Sequence, residues 1–195
     1  LSTLKKCEEA AAGVTSRNAS TVQNITEALI LSGIAIGMVG ASRPASGGEH
    51  YLSHCYEMMF MNGGDNTKWL HGNTVGVGVG VVAYAFKFAK DLNIDEILKK
   101  GDYMHLDKNT WEQNIKDVFT ISAPNIIEFK QGSINFNEED RKASMQKIGS
   151  NWDDIKKICD SFVPEPIEII KTLKKAGAVW DPKELGLSKE LFRKS

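Results

Sequence analysis

The chain has 195 residues, 42% of them hydrophobic, and a formal net charge of −1 at pH 7. This length and apolar content can supply one sizeable core, and the near-neutral charge argues against a nucleic-acid surface or an anionic-membrane surface. Three widely spaced cysteines, Cys7, Cys55 and Cys159, predict reduced thiols in a cytoplasmic protein rather than a disulfide framework.

The spacing of apolar residues predicts helices along most of the chain. A short charged helix over 4–12 ends at Gly13, and a longer one over 20–39 takes Ser20 or Thr21 as its N-cap. A loop over 41–48 leads into a helix with two histidines, and a loop over 62–66 follows. Further helices are predicted over 95–100, 109–119, 138–149, 152–162 and 166–177, the last with Pro166 at N1 and Gly177 as its stop. Strand patterns are scarce, and the best, over 133–137, favours a loop. We therefore expect an all-α fold, with 1–195 as a single helical domain.

A run of alternating glycine and valine over 76–80 could be mistaken for a dinucleotide-binding fingerprint. Such a fingerprint needs a preceding strand, a tight turn and a later acidic residue, none of which fits here. The run continues as uncharged apolar sequence to Phe86, so we predict a buried helix whose glycines permit close helix approach. The stretch over 68–87 is the one candidate for a membrane span that we find, but its polar start favours a core helix.

The start of the chain carries Glu8 and Glu9 where a signal peptide needs an apolar region, so no export signal is expected. We expect the chain to be a fragment, because it does not begin with methionine.

Three of the four histidines are close in sequence. His50 and His54 are four residues apart and project from one face of a helix, and His71 can join them if the chain folds back through the loop over 62–66. Imidazole nitrogens suit zinc, iron, nickel and copper, and a catalytic metal usually has three protein ligands and one open position. Taken alone, a histidine pair at this spacing is more often a surface or core feature than a metal site.

The segment from Ser42 to Glu57, SRPASGGEHYLSHCYE, followed by HGNTVGVG from His71, resembles the metal-binding core of the sn-glycerol-1-phosphate dehydrogenases. This family is a branch of the superfamily that holds glycerol dehydrogenase, iron-containing alcohol dehydrogenases and dehydroquinate synthase. The resemblance continues through 151–155 and 173–178 to 182–187, and so covers nearly the whole chain. It implies the helical C-terminal domain of that fold, with the nucleotide-binding domain upstream and absent from this sequence.

The resemblance also implies roles for individual residues. His50 and His71 would be metal ligands, together with an aspartate from the upstream part, and the metal would be zinc, or else nickel or iron. His54 would face the substrate as a hydrogen-bonding or proton-relay group. The implied reaction is reduction of dihydroxyacetone phosphate to sn-glycerol 1-phosphate by NADH or NADPH, which the absent domain would mainly bind. The implied partners are that domain and further copies of the chain, without nucleic acid and without a membrane span.

Two roles stay open at this point. Glu57 lies on the histidine face of its helix, where it could orient a histidine or simply be a solvated charge. Ser42, Arg43 and Ser46 could hold the substrate phosphate, since arginine and hydroxyl groups bind phosphate oxygens, or they could cap the next helix and fix the loop.

Other functions are compatible with the same features. The chain could come from a glycerol or other polyol or alcohol dehydrogenase, or from a dehydroquinate-synthase-like cyclase, although those cyclases carry a different sequence around their histidines. It could also be a helical domain without catalysis that binds metal weakly or serves in assembly. We expect the isolated 195 residues to bind metal weakly and to catalyse nothing, because the nucleotide domain is absent.

Overall fold

The computed structural model describes residues 2–43, 45–63, 69–105, 107–132 and 134–194, and within these ranges it contains helices, turns and no strand. The α-helices are α1 (Ser2–Ala10), α2 (Ala19–Val39), α3 (Gly48–Asn62), α4 (His71–Lys90), α5 (Ile94–Lys100), α6 (Lys108–Phe119), α7 (Ala123–Gln131), α8 (Glu138–Ser150), α9 (Trp152–Phe162), α10 (Pro166–Lys175) and α11 (Lys189–Lys194). Single 3₁₀ turns occupy Ala11–Gly13, Asp102–Met104 and Thr120–Ser122. The all-α prediction is confirmed for the described residues.

Capping side chains explain where several helices begin and end. The N-cap of α2 is Asn18, whose side-chain oxygen accepts the backbone N–H of Thr21 at 2.8 Å, so the predicted N-cap at Ser20 or Thr21 is wrong. Thr21 is buried instead, and its hydroxyl group donates to the carbonyl oxygen of Ala10 at 3.4 Å. Gly101 and Gly177 follow α5 and α10 with φ angles of +71° and +68°, the left-handed conformation expected of glycine after a helix.

Helix α7 was missed by the sequence analysis. It is short, and Thr120 just before it has a φ of +38°, which turns the chain sharply after α6. A helix of 9 residues offers too few turns for its apolar spacing to stand out.

Helices α3 and α4 form the antiparallel pair on which the site is built. A Cβ atom on Gly78 would lie 2.6 Å from the carbonyl oxygen of Glu49, and one on Gly48 would lie 3.3 Å from a methyl group of Val82. The predicted close helix approach is therefore confirmed at Gly78. The run over 76–80 lies inside α4 and forms no nucleotide-binding turn.

The main core packs around this pair. Tyr56 of α3, Val77 of α4 and Leu185 of the segment before α11 are almost fully buried. Further buried members are Cys55, Met59, Phe119, Ala123 and Leu187. The indole N–H of Trp69 donates to the carbonyl oxygen of Leu185 at 3.0 Å, so the start of α4 is tied to the far end of the chain.

Helix α2 lies largely outside this core. Its exposed apolar side chains are Val22, Leu29, Ile30, Leu31, Ile34, Met38 and Val39. Among the described residues, α2 is the helix that is long and apolar enough to cross a membrane, with a mean hydropathy of 1.5, but length and composition alone are weak evidence for a span. Helix α4, which holds the described part of the stretch from residue 71 onward, is not such a helix, so the prediction that this stretch is the one candidate is wrong.

The three cysteines are free, as predicted, with Cys55 and Cys159 buried and Cys7 partly exposed. The predicted loop over 62–66 begins where α3 ends, but its residues 64–66 lie outside the described part. Residues 134–137 are not a strand, and Ser133 and Pro44 also lie outside the described part.

Candidate metal centre

The α3–α4 pair brings three histidines into one cluster. The ring centres of His50 and His71 are 5.3 Å apart, those of His54 and His71 are 5.2 Å apart, and those of His50 and His54 are 6.4 Å apart. The chain therefore folds back as the sequence predicted. His105 lies elsewhere, beside Glu138 at 3.2 Å.

The starts of the two helices position these rings. Helix α3 begins after Gly47, whose backbone N–H donates to the Glu49 carboxylate at 2.7 Å. Helix α4 begins at His71, after an extended Leu70 whose backbone N–H donates to the side-chain oxygen of Asn73 at 3.2 Å. These two local bonds fix where each helix starts, and therefore which way its first histidine projects.

Each clustered histidine has its Nδ1 atom against a carboxylate. Nδ1 of His50 lies 2.8 Å from Oε1 of Glu49, and Nδ1 of His71 lies 2.7 Å from Oε1 of Glu57. Nδ1 of His54 lies 3.1 Å from the other oxygen of Glu57. Because an ionised carboxylate only accepts hydrogen bonds, we assign the hydrogen to Nδ1 in all three rings. The Nε2 lone pairs are then left for a ligand.

Both carboxylates are ionised at neutral pH. Partial burial would raise the pKa of Glu57, but hydrogen bonds from His71, Thr74, His54 and Ser53 outweigh it, and the pKa lies below the ordinary value. For Glu49, the hydrogen bonds to the Gly47 backbone and to His50 outweigh the effect of burial in the same way and lower its pKa.

The donor set suits a divalent transition metal. One potential ligand atom from each of His54, Glu57 and His71 lies within 4.8 Å of the other two. His50 is not in this tight group, although its ring is next to that of His71. Imidazoles whose second nitrogen is held by a carboxylate are the usual ligands of zinc, and imidazole also suits nickel and iron. The residues present therefore fit a divalent metal ion.

The contacts of Glu57 favour one of its two open roles. Its side chain is 29% exposed and binds two histidines of different helices, which a solvated surface charge would not do. These contacts are the ones that an orienting carboxylate would make.

Sequence reasoning missed the two hydroxyl groups beneath Glu57. Ser53 and Thr74 are both fully buried, and their oxygens are 2.7 Å apart across the α3–α4 interface. The spacing of three residues between His71 and Thr74 places both on one face of α4, which was the available signal. Glu49 was missed as well, although it directly precedes His50.

The proposed phosphate residues lie on the turn between α2 and α3. Ser42 and Arg43 are exposed and Ser46 is partly buried. The N-cap of α3 is Gly47, with no capping bond from a side chain, so the alternative role of Ser46 as a cap is not observed. Within the described ranges, Arg43 has neither a hydrogen bond nor an ion pair, which leaves its guanidinium accessible.

Comparison with curated proteins supports the sequence resemblance. The chain is 42% identical over 86 residues to a glycerol-1-phosphate dehydrogenase (NAD(P)+) of Halalkalibacterium halodurans, which is 44% of the chain and 21% of that protein. It is 48% identical over 63 residues to the protein of that name from Sulfolobus acidocaldarius, covering 32% of the chain and 16% of the relative. For the protein of the same name from Sulfurisphaera tokodaii, the identity is 46% over 102 residues, which is 52% of the chain and 27% of that protein.

The chain thus matches between 16% and 27% of the length of these relatives. No family model matches the chain, and no solved structure matches it. The resemblance to glycerol-1-phosphate dehydrogenases is confirmed at the level of sequence.

Proposed function

We propose that this chain is the metal-binding and substrate-binding part of an NAD(P)-dependent glycerol-1-phosphate dehydrogenase. The reaction is the transfer of a hydride between a nicotinamide cofactor and dihydroxyacetone phosphate, which forms sn-glycerol 1-phosphate. The observation that carries the proposal is the histidine cluster, in which a carboxylate holds Nδ1 of every ring. The similarity to proteins of that name supplies the substrate and cofactor.

His50 and His71 would hold the metal through Nε2, and zinc is the metal we favour over nickel or iron. A divalent metal bound there would supply Lewis-acid polarisation of the substrate carbonyl. Glu49 and Glu57 keep hydrogen on the Nδ1 atoms, which directs the basic nitrogen of each ring outward. The aspartate that the resemblance adds would come from outside this chain.

His54 is the residue that we propose to contact the reacting oxygen. Its side chain is 58% exposed, its Nδ1 is engaged by Glu57, and its ring stacks on that of His71 with centres 5.2 Å apart. In this position Nε2 can hydrogen-bond to the substrate and relay a proton as the carbonyl becomes a hydroxyl group.

Arg43, with Ser42 and Ser46, is our proposal for binding the substrate phosphate. These residues lie on the turn that leads directly into the histidine helix, and a free guanidinium makes charge-assisted bonds to phosphate oxygens.

We further propose that a nucleotide-binding domain of the same protein and a second subunit complete a cytoplasmic enzyme, with residues 1–195 acting as one helical domain. The exposed apolar side chains of α2 form a surface that suits such further protein.

The test is NADH or NADPH oxidation with dihydroxyacetone phosphate by the full-length protein that carries this chain. We expect turnover that a chelator removes and zinc restores, and loss of turnover in His71→Ala but not in the distant His105→Ala. Preference for unphosphorylated glycerol or another alcohol would keep the dehydrogenase class and overturn the substrate. Absence of any metal-dependent oxidation would overturn the proposal in favour of a helical domain without catalysis.

A further inference from the structure

The interface between α3 and α4 contains a group of polar atoms that is sealed from solvent. Ser53 and Thr74 are each 0% exposed, in an interface otherwise packed with apolar residues such as Tyr56 and Val77. Burying a hydroxyl group without a hydrogen bond costs free energy, and an alanine or valine would pack there without that cost. The contacts of these hydroxyl groups therefore call for an explanation.

The two hydroxyl groups converge on one oxygen of Glu57. Thr74 Oγ1 lies 2.9 Å from Oε1 of Glu57, and Ser53 Oγ lies 3.1 Å from the same atom. Nδ1 of His71 lies 2.7 Å from that oxygen. Three polar groups from two helices thus lie within hydrogen-bond distance of a single carboxylate oxygen.

Each hydroxyl group has one hydrogen to donate, and Thr74 Oγ1 lies 2.8 Å from the carbonyl oxygen of His71 as well as 2.9 Å from Oε1 of Glu57. In the arrangement in which both hydroxyl groups act on Glu57, Ser53 donates to Thr74 across their 2.7 Å contact. Thr74 then donates to Oε1 of Glu57, and His71 donates its Nδ1 hydrogen to the same oxygen. In this arrangement Ser53, Thr74 and His71 each donate one hydrogen, and the Glu57 carboxylate only accepts.

We propose that Ser53 and Thr74 are positioning residues of the metal site, which fix Oε1 of Glu57 against Nδ1 of His71. They select the His71 tautomer that has hydrogen on Nδ1 and a lone pair on Nε2. The proposal rests on the metal-binding part of the proposed function, and it concerns a layer of residues that touches neither metal nor substrate.

A purely structural role for the hydroxyl groups makes a different prediction. If they only satisfy one another in the interface, their removal changes stability and leaves the histidine unaffected. If they position Glu57, their removal changes the tautomer and the ligand strength of His71, because a carboxylate freed on one side can rotate away from the ring.

The experiment compares zinc affinity and the His71 tautomer in variants of the full-length protein that carries this chain. Thr74→Val keeps the shape and removes the hydroxyl group, and Thr74→Ser keeps the hydroxyl group. Val77→Ala, one turn along α4 and 1% exposed, is the matched control that weakens packing without touching the network. Affinity is measured by competition with a chromophoric zinc chelator, and the tautomer of the zinc-free protein by long-range ¹H–¹⁵N NMR correlations of the ring.

We expect Thr74→Val to lower zinc affinity by about tenfold to a hundredfold and to give His71 a mixture of tautomers. Thr74→Ser should retain the zinc affinity and the single His71 tautomer of the wild type. Val77→Ala should retain both as well, even where it lowers the free energy of unfolding by more than Thr74→Val does. Unchanged affinity and an unchanged tautomer in Thr74→Val overturn the proposal, whatever the activity of the enzyme. A loss of affinity in Thr74→Val supports it even if the full-length protein does not reduce dihydroxyacetone phosphate, so the two proposals fail separately.

Discussion

Nδ1 of His71 lies 2.7 Å from Oε1 of Glu57, although the two residues belong to different helices and are 14 positions apart in sequence. This single bond joins the start of α4 to the middle of α3. It also gives a carboxylate to a candidate metal ligand, as carboxylates commonly support histidine ligands in zinc proteins.

Glu57 is the first residue to mutate, because its carboxylate accepts the hydrogen bond from His71. Glu57→Gln keeps the size of the side chain and removes its charge, so we expect zinc affinity to fall by about tenfold to a hundredfold. Glu112→Gln is the matched control, since the Glu112 side chain is 24% exposed against 29% for Glu57 and its ion pairs within the described part of the chain are with lysines. Equal affinities of the two variants, measured by zinc competition, would show that the carboxylate does not support the site.

The glycines of α4 can be tested as a pair. Gly78→Ala would place a Cβ atom 2.6 Å from the carbonyl oxygen of Glu49, so the helices must separate, and we expect a loss of about 1–3 kcal/mol in the free energy of unfolding. At Gly80 a Cβ atom would meet nothing within 4 Å, and Gly80→Ala should be neutral or stabilise by up to about 1 kcal/mol. Chemical denaturation measures both, and similar values for the two variants would contradict the close approach of α3 and α4.

The buried thiol of Cys55 predicts a pH dependence of stability. Burial raises its pKa to about 11, above the value of about 8.5 for a thiol in an unfolded chain. Between these values the unfolded state loses the proton and the folded state keeps it, so the contribution of this thiol to stability is lost as pH rises. We expect the free energy of unfolding to fall less steeply over this range in Cys55→Ala than in the wild type.

Cys7→Ala is the control for that measurement, because Cys7 is only partly buried. Its stability should follow the wild-type curve over the same pH range. A Cys55→Ala curve that runs parallel to the wild type would show that this thiol titrates normally in the folded state.

The phosphate role of Arg43 gives a prediction about substrate choice. In the full-length enzyme, Arg43→Ala should raise KM for dihydroxyacetone phosphate about tenfold or more, since it removes a hydrogen bond between charged groups. KM for unphosphorylated dihydroxyacetone should stay the same, which makes that substrate the internal control. An equal rise for both substrates would place Arg43 in a structural role instead.

Much of the fold follows from local sequence signals. The bounds of α9 agree with the prediction over 152–162, α5 ends at Lys100 as predicted, and Gly177 follows α10 as its predicted stop. The meeting of His50, His54 and His71 was also predictable, because it needs only helical spacing and one return of the chain.

What the sequence could not supply is the relative position of two helices. Ser53, Glu57 and Thr74 form their network because α3 and α4 pack at a particular offset. That offset depends on the contact of Gly78 with the backbone of Glu49, which no spacing within a single helix reveals. The N-cap of α2 was missed for a simpler reason, since several neighbouring polar residues compete for that position and Asn18 is the one whose side chain accepts the bond.

The most direct measurement is the zinc affinity of the full-length protein that carries this chain and of three histidine variants. Loss of a supporting carboxylate is expected to weaken zinc binding by about tenfold to a hundredfold. We expect His50→Ala and His71→Ala to weaken it further than that. His105→Ala should bind as the wild type does, because that side chain is 76% exposed and pairs with Glu138. Equal zinc affinity in the wild type and all three variants would contradict a metal centre at the α3–α4 pair.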